Sequence, residues 1–187
     1  MHLVNSPANR NQAAVQEHNK LVHFEIFVIP HMAAAYNLAR WLTRNEHDAE
    51  DVVQEAYLRA YRFFDAYRGG DCRAWLLTIV RNTCYTWLQQ NRRASAPLDE
   101  EIADPAQSTP EALLLRSVDA EMLRQALEEL PLEFREAIVL REFEGLSYKD
   151  ISAITCVPLG TVMSRLARAR GRLQKIIGAR VEKGGAA

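Results

Sequence analysis

Apolar residues recur at spacings of three and four along nearly the whole stretch from Leu21 to Ile177, and the period-two alternation of strands is almost missing. From Leu21 to Asn45 the pattern predicts one or two helices, with Pro30 forcing a kink or break because proline lacks the backbone donor and crowds the preceding turn. The run Asn45-Glu-His-Asp48 is polar, and Asp48 is placed to cap a helix from Ala49 to about Ala66. Tyr67 to Arg73 contains Gly69-Gly70 and reads as a loop, followed by a helix from Ala74 to about Asn91. The long interruption is Ala94 to Pro110, where Pro97, Pro105 and Pro110 stand among small and acidic residues that break helices and resist burial. Beyond it come a helix up to Leu130, another from Pro131 to about Phe143 closed by Gly145, and two short helices. The expected fold is all-α: two small helical domains, 21–93 and 118–180, joined by a flexible acidic linker at 94–117. A polar extension, 1–20, precedes them and a tail, 181–187, follows.

Two of these helices carry chemistry on faces that the core does not need. On the helix from Ala49, residues Val52, Val53, Ala56, Tyr57, Ala60, Phe63 and Phe64 form the apolar face, and Asp51, Gln54, Glu55, Arg62 and Asp65 the opposite one. Leu58 lies in the middle of that polar face with Tyr61 on its flank. It is either an ordinary exposed leucine or the centre of a small protein-docking patch. On the helix from Ala74, Leu76, Ile79, Val80, Thr83, Cys84, Trp87 and Leu88 face inward. The other side, Thr78, Arg81, Asn82, Tyr85, Gln89 and Arg92, contains no acid. It is either a solvated face or one that grips phosphates and stacks on bases. Trp75 and Trp87 read as core.

The C-terminal helices make a helix-turn-helix. Ser147-Tyr-Lys-Asp150 has the spacing of a capping box and opens a short helix with Ile151 and Ile154 on its inner face. Val157-Pro158-Leu159-Gly160 makes the turn, and Thr161 opens the last helix. At about 100° per residue, Val162, Leu166, Ala169 and Leu173 share one stripe, while Thr161, Ser164, Arg165, Arg168 and Arg172 share another. Short hydroxyls backed by arginines suit a helix entering the major groove, where arginine forks onto guanine or grips the backbone.

The formal net charge of −1 argues against a nucleic-acid binder until its distribution is seen. From Arg141 onward nine basic residues face four acidic ones, and Cys156 to Val181 contains no acid at all. From Pro97 to Glu129 nine acidic residues face two arginines. A neutral total thus hides a basic end and an acidic middle. The three cysteines, Cys72, Cys84 and Cys156, are scattered without paired spacing and fit reduced thiols. Met1 to Lys20 lacks the apolar stretch of a secretion signal, and no apolar run approaches the roughly 18 residues that span a bilayer, so cytoplasmic residence without stable membrane insertion is expected. No phosphate loop, nucleophile elbow or His-Glu-x-x-His helix is present, and His18, His23 and His31 have no accompanying ligand set. Neither catalytic residue, metal nor cofactor is expected.

Three segments carry a resemblance. Asp48 to Tyr57 (DAEDVVQEAY), Arg68 to Asn82 (RGGDCRAWLLTIVRN), and Gly145 to Ile151 with Gly160 to Arg170 are similar to extracytoplasmic-function (ECF) sigma factors of the sigma-70 family, in the right order from about Leu21 to Ile177. The resemblance implies a transcription initiation factor. Region 2 would dock on the β′ clamp helices of core RNA polymerase and open the −10 element, and region 4 would bind the β flap and read the −35 element. It places Asp51, Gln54, Glu55, Leu58 and Tyr61 on the polymerase. Arg68, Gly69, Gly70, Asp71, Arg73, Arg81, Asn82, Tyr85, Gln89 and Arg92 fall at the −10 DNA, and Thr161, Ser164, Arg165, Arg168 and Arg172 at the −35 DNA. The loop Arg68 to Arg73 would capture a flipped base, and linker carboxylates would mimic RNA phosphates in the polymerase channel. Such members serve stress or envelope responses and are held by an anti-sigma factor, commonly at the inner membrane; in holoenzyme they associate with the nucleoid. Gly69-Gly70-Asp71-Cys72 lies where the family varies, so no base preference carries over, and Met1 to Asn19 has no counterpart. Competing readings are a stand-alone helix-turn-helix regulator with a ligand-sensing, dimerising N-terminal domain, an interaction adaptor, and an enzyme.

Overall fold

The computed structural model describes residues 7–94 and 118–184. The first domain holds α1 (Pro7–Val28), a 3-10 turn at Ile29–His31, α2 (Met32–Thr43), α3 (Glu46–Phe63), a second 3-10 turn at Phe64–Ala66, and α4 (Cys72–Ala94). The second holds α5 (Val118–Glu128), α6 (Leu132–Ile138), a π-turn at Val139–Phe143, α7 (Tyr148–Thr155) and α8 (Leu159–Gly184). Among the described residues there is no strand. Most of the acidic linker lies outside them.

Local chemistry accounts for the breaks. Pro30 begins the 3-10 turn that separates α1 from α2. Arg44, at φ 65°, ends α2 in the left-handed region, and Asn45 rather than Asp48 caps α3. The Asn45 Oδ1 accepts the Asp48 backbone N–H at 3.1 Å. Asp48 therefore sits one turn in, where its carboxylate lies beside the positive end of the helix dipole. Ser147 and Asp150 form the reciprocal capping box expected of them, each side chain accepting the other's backbone N–H at 3.2 and 3.1 Å.

In the first domain α2, α3 and α4 bury Leu38 and Leu42, then Ala49, Val52, Ala56 and Ala60, then Leu76, Leu77, Val80 and Cys84. The small side chains on α3 let its neighbours approach closely. Phe63 departs from the expected core and is exposed, because α3 ends there and the 3-10 turn rotates Phe64 inward instead, against Tyr67 and Trp75. The second domain is built on Leu127, Leu130, Leu140, Ile151, Ile154, Val162, Leu166 and Ala169. Arg135 is buried with them and donates to the carbonyls of Glu128 at 2.9 Å and Leu130 at 3.4 Å, covering the open end of α5. Burial, with Arg44 nearby, pulls its guanidinium down to about 10.

Two elements are longer than the sequence pattern predicts. The helix α1 starts at Pro7, inside the expected polar extension, and α8 runs 26 residues in place of a short helix. Gly171 and Gly178 lie within α8, and its far end is fastened by Arg180, which binds Gln125 at 3.0 Å and Glu129 beyond the end of α5. The stretch Ala14–Thr43 also reaches the length and apolar content of a bilayer span, contrary to the expectation for any run in this chain. It is interrupted at Pro30, and its second half gives Ala34, Ala35, Leu38, Ala39 and Leu42 to the core.

The two domains pack together, α4 against α7 and α2 against α6 and the π-turn. Leu166 is almost fully buried between the helices of the second domain. Leu166→Ala is expected to cost about 2–5 kcal/mol of stability, read as a lower midpoint in urea unfolding with the slope unchanged.

Candidate nucleic-acid and partner interface

On α3 the residues Asp51, Gln54, Glu55 and Leu58 all lie exposed, Leu58 at 58%. Leu58 forms one wall of an apolar groove of about 880 Å³, completed by Leu21, Phe24, Ile29 and Met32 from the N-terminal side and by Val53 and Tyr57 from α3. Glu25, Glu50 and Gln54 also line it. The sequence pattern isolates Leu58 but misses these partners. Their signal is the run of apolar residues either side of Pro30, which only the turn at Ile29–His31 brings round to α3. Tyr61 is half-buried and held by α1: its hydroxyl donates to Glu17 at 2.5 Å, the Lys20 ammonium lies 4.8 Å from its ring centroid, and Lys20 pairs with Asp65 at 2.6 Å. The bond to Glu17 raises the Tyr61 phenol.

The loop before α4 is set by its two glycines, at φ 87° and 98°, a region that side chains with a Cβ rarely adopt. The Tyr67 hydroxyl donates to the Gly70 carbonyl at 2.6 Å, and the Asp71 carboxylate accepts the Ala74 N–H at 3.1 Å, capping the first turn of α4. Asp71 thus has a structural task at the position assigned to the −10 DNA. Arg68 is exposed. A second cavity of about 510 Å³ opens beside the loop, lined by Lys20, His23, Phe27, Tyr67, Gly69 and Gly70 among others.

Part of the polar face of α4, Arg81 and Tyr85, meets the second domain rather than solvent. Arg81 donates through Nε to Glu136 at 2.7 Å and lies 4.3 Å from the Tyr85 ring centroid, and the Tyr85 hydroxyl donates to the other Glu136 oxygen at 3.2 Å. Glu136, on α6, is 0% exposed. Arg73 pairs with the buried Glu144, which also accepts from Asn37 at 3.4 Å. Burial raises the Glu136 carboxyl, with Arg81 pulling it back. Burial alone would lower the Arg81 guanidinium, but Glu136 turns the balance upward. Tyr85 is pushed up to about 12 by burial and by Glu136. Asn82 and Gln89 remain exposed, and the Arg92 side chain lies outside the described residues.

On α8 the expected inner stripe is buried at Val162, Leu166 and Ala169, with Leu173 half-buried. The turn is closed by Cys156 at φ 54°, where its N–H reaches the Ser152 carbonyl. Ser164 and Arg168 are exposed, Thr161 and Arg165 half-buried. Arg165 acts electrostatically on both Tyr85 and Glu136, and Arg172 lies 5.1 Å from the Phe134 ring centroid. Of the five residues predicted for the −35 DNA, Ser164, Arg168 and Arg172 are exposed, with the Ser164 hydroxyl donating to the Thr161 carbonyl at 3.0 Å.

The Sigma-70 region 2 family matches residues 27–94, and the Sigma-70 region 4 family residues 120–173. The ECF RNA polymerase sigma-E factor of Escherichia coli (strain K12) is 40% identical over 134 residues, which are 66% of this chain and 70% of that protein. The ECF RNA polymerase sigma factor SigE of Mycolicibacterium smegmatis is 36% identical over 170 residues, 89% of this chain and 64% of the relative. The chain belongs to the ECF sigma factors. The fold agrees: the sigma factor RpoE solved with the anti-sigma factor NepR from Bartonella quintana superposes with a TM-score of 0.70 at 31% identity, covering 83% of this chain and 97% of that one. CnrH, solved with the cytosolic domain of CnrY, superposes at 0.64 with 25% identity over 92% and 98% of the two chains. In this sigma factor α2, α3 and α4 lie within region 2, and the helix-turn-helix of α7 and α8 lies within the region 4 match up to residue 173.

Space is open around Gly70, so a substitution there meets only backbone strain. Gly70→Ala is expected to lower stability by about 1–2 kcal/mol, measured by thermal denaturation, with the helical circular dichroism of the folded state unchanged.

Proposed function

We propose that this sigma factor joins core RNA polymerase through the Leu58 face of α3 and holds promoter DNA at two places. The exposed apolar groove carries the reading: Leu58, Met32 and Leu21 present oily surface ringed by Glu25, Glu50, Asp51 and Glu55, which fits an amphipathic helix with basic flanks such as a clamp helix of the β′ subunit. Asp51, Gln54, Glu55 and Tyr61 frame that contact. The α4 face and the loop from Arg68 to Arg73 take the −10 element, with Arg73, Arg81 and Arg92 on phosphates and Asn82, Tyr85 and Gln89 beside bases. Thr161, Ser164, Arg165, Arg168 and Arg172 take the −35 element. Polymerase supplies the catalytic chemistry, and this chain supplies the address.

The same groove is open to an anti-sigma partner, as expected of a factor whose relative RpoE is solved with the anti-sigma factor NepR. The working place is the cytoplasm, on polymerase and chromosome, with retention at the inner membrane when an anti-sigma partner is itself anchored there. A role in stress or envelope responses accords with that restraint.

Leu58→Asp is expected to leave thermal stability within about 0.5 kcal/mol, since the side chain is exposed, and to abolish comigration with core polymerase in gel filtration; undiminished comigration would remove the assignment. Arg165→Ala with Arg168→Ala is expected to weaken initiation at a −35-dependent promoter by about 1–3 kcal/mol for each arginine taken off the DNA, scored as run-off transcript against promoter concentration. Equal transcript from the variant would move the recognition face elsewhere.

A further inference from the structure

We propose that Glu136 and Glu144 act as built-in stand-ins for DNA phosphates, so that the free chain closes on itself and its second domain competes with the promoter for the α4 face. The inference rests on the assignment of Arg73 and Arg81 to −10 DNA. Each of these arginines is held by a carboxylate from the other domain, 55 residues away for the Arg81–Glu136 pair and 71 for Arg73–Glu144. Around Glu136 the donors are a guanidinium and a phenol, the groups that would meet a phosphate oxygen and its neighbouring base. Around Glu144 they are a guanidinium and the Asn37 amide.

The same carboxylate also feels the charge of the second domain's own recognition helix. Arg165 of the recognition helix adds a weaker long-range attraction to Glu136, which Arg81 holds directly at 2.7 Å. Outside this polar cluster, the boundary includes a ring contact between Trp41 and Phe143 with centroids 5.5 Å apart, and Phe143 remains 48% exposed. A buried ion pair gains little over the same groups in water, because desolvation offsets most of the attraction. Such a boundary fixes one pose firmly yet opens when a better anion or a docking partner arrives.

The test uses the full chain. Spin labels go on Cys156, which is exposed while Cys72 and Cys84 are buried, and on a cysteine introduced by Arg62→Cys on the exposed side of α3. The unaltered boundary should give one narrow distance distribution, and Glu136→Gln with Glu144→Gln should give a longer, broader one. The free double variant should bind a fluorescent mixed-sequence 20-nucleotide single strand about tenfold more tightly. Its salt dependence should steepen by about 1.4 in log–log slope, for two arginines returned to phosphates. An unchanged distance distribution, or an unchanged affinity, overturns the proposal. Should Glu136→Gln fail to fold, Phe143→Ser with Glu144→Gln carries the same readouts, since Phe143 is half-exposed and meets Trp41 across the boundary. Failure of the parent chain to join core polymerase counts against the proposed function alone, whereas a parent holoenzyme that initiates while the free variants gain nothing counts against the closed form alone.

Discussion

A carboxylate removed from water must be answered by a donor, and Glu136 is answered from outside its own domain. The Arg81 guanidinium and Tyr85 hydroxyl reach it from α4, and the relative placement of the two halves follows from that demand. Glu144 repeats the arrangement with Arg73 and Asn37 at the end of the π-turn. Apolar contact also crosses the boundary, as between Trp41 and Phe143, but apolar burial carries no direction of its own. The buried acids add that direction, with Arg81 and Tyr85 of α4 turned inward and the Leu58 face of α3 turned out.

That division of labour gives each surface a distinct physical character. The α3 groove is apolar with acidic lining, and is finished by a helix that begins well before the region 2 match. Glu17 and Lys20 on this helix fix the ring of Tyr61 and the carboxylate of Asp65, so the outer edge of the groove is shaped by α1. The α4 face is cationic and aromatic, and α8 carries its arginines along a helix whose capped neighbour and strained turn at Cys156 hold its start. Affinity for DNA from a few arginines would be weak and salt-sensitive. On the proposed assignment, a firm hold on a promoter takes both DNA surfaces and the polymerase together.

Much of this is legible in residue order. The helices, the capping box at Ser147 and Asp150, the inner stripe of α8 and the misplaced Leu58 all follow from periodicity and local hydrogen-bonding chemistry. Periodicity identifies a face but not what covers it. It marks Arg81 and Tyr85 as polar positions, yet cannot reveal Glu136, which by sequence looks like one more charge on a short helix. Asp48 yields the cap to Asn45 because both are competent cap residues and the backbone turns at Arg44, which spacing does not encode. Phe63 belongs to the apolar stripe only if its helix continues, and α3 ends at that residue. The helix from Pro7 is hidden by the low apolar content of its first turns.

Arg81 holds Glu136 directly at 2.7 Å, and Arg165 adds a weaker attraction to the same carboxylate. Two cations on one anion compete for it, so withdrawing either arginine tightens the carboxylate's hold on the other. On the proposed assignment of both arginines to DNA, thermodynamic linkage makes that coupling reciprocal: releasing one raises the cost of releasing the other by the same factor. One buried oxygen pair would thus make the two release steps antagonistic within a single polypeptide, without any contact between the two DNA sites.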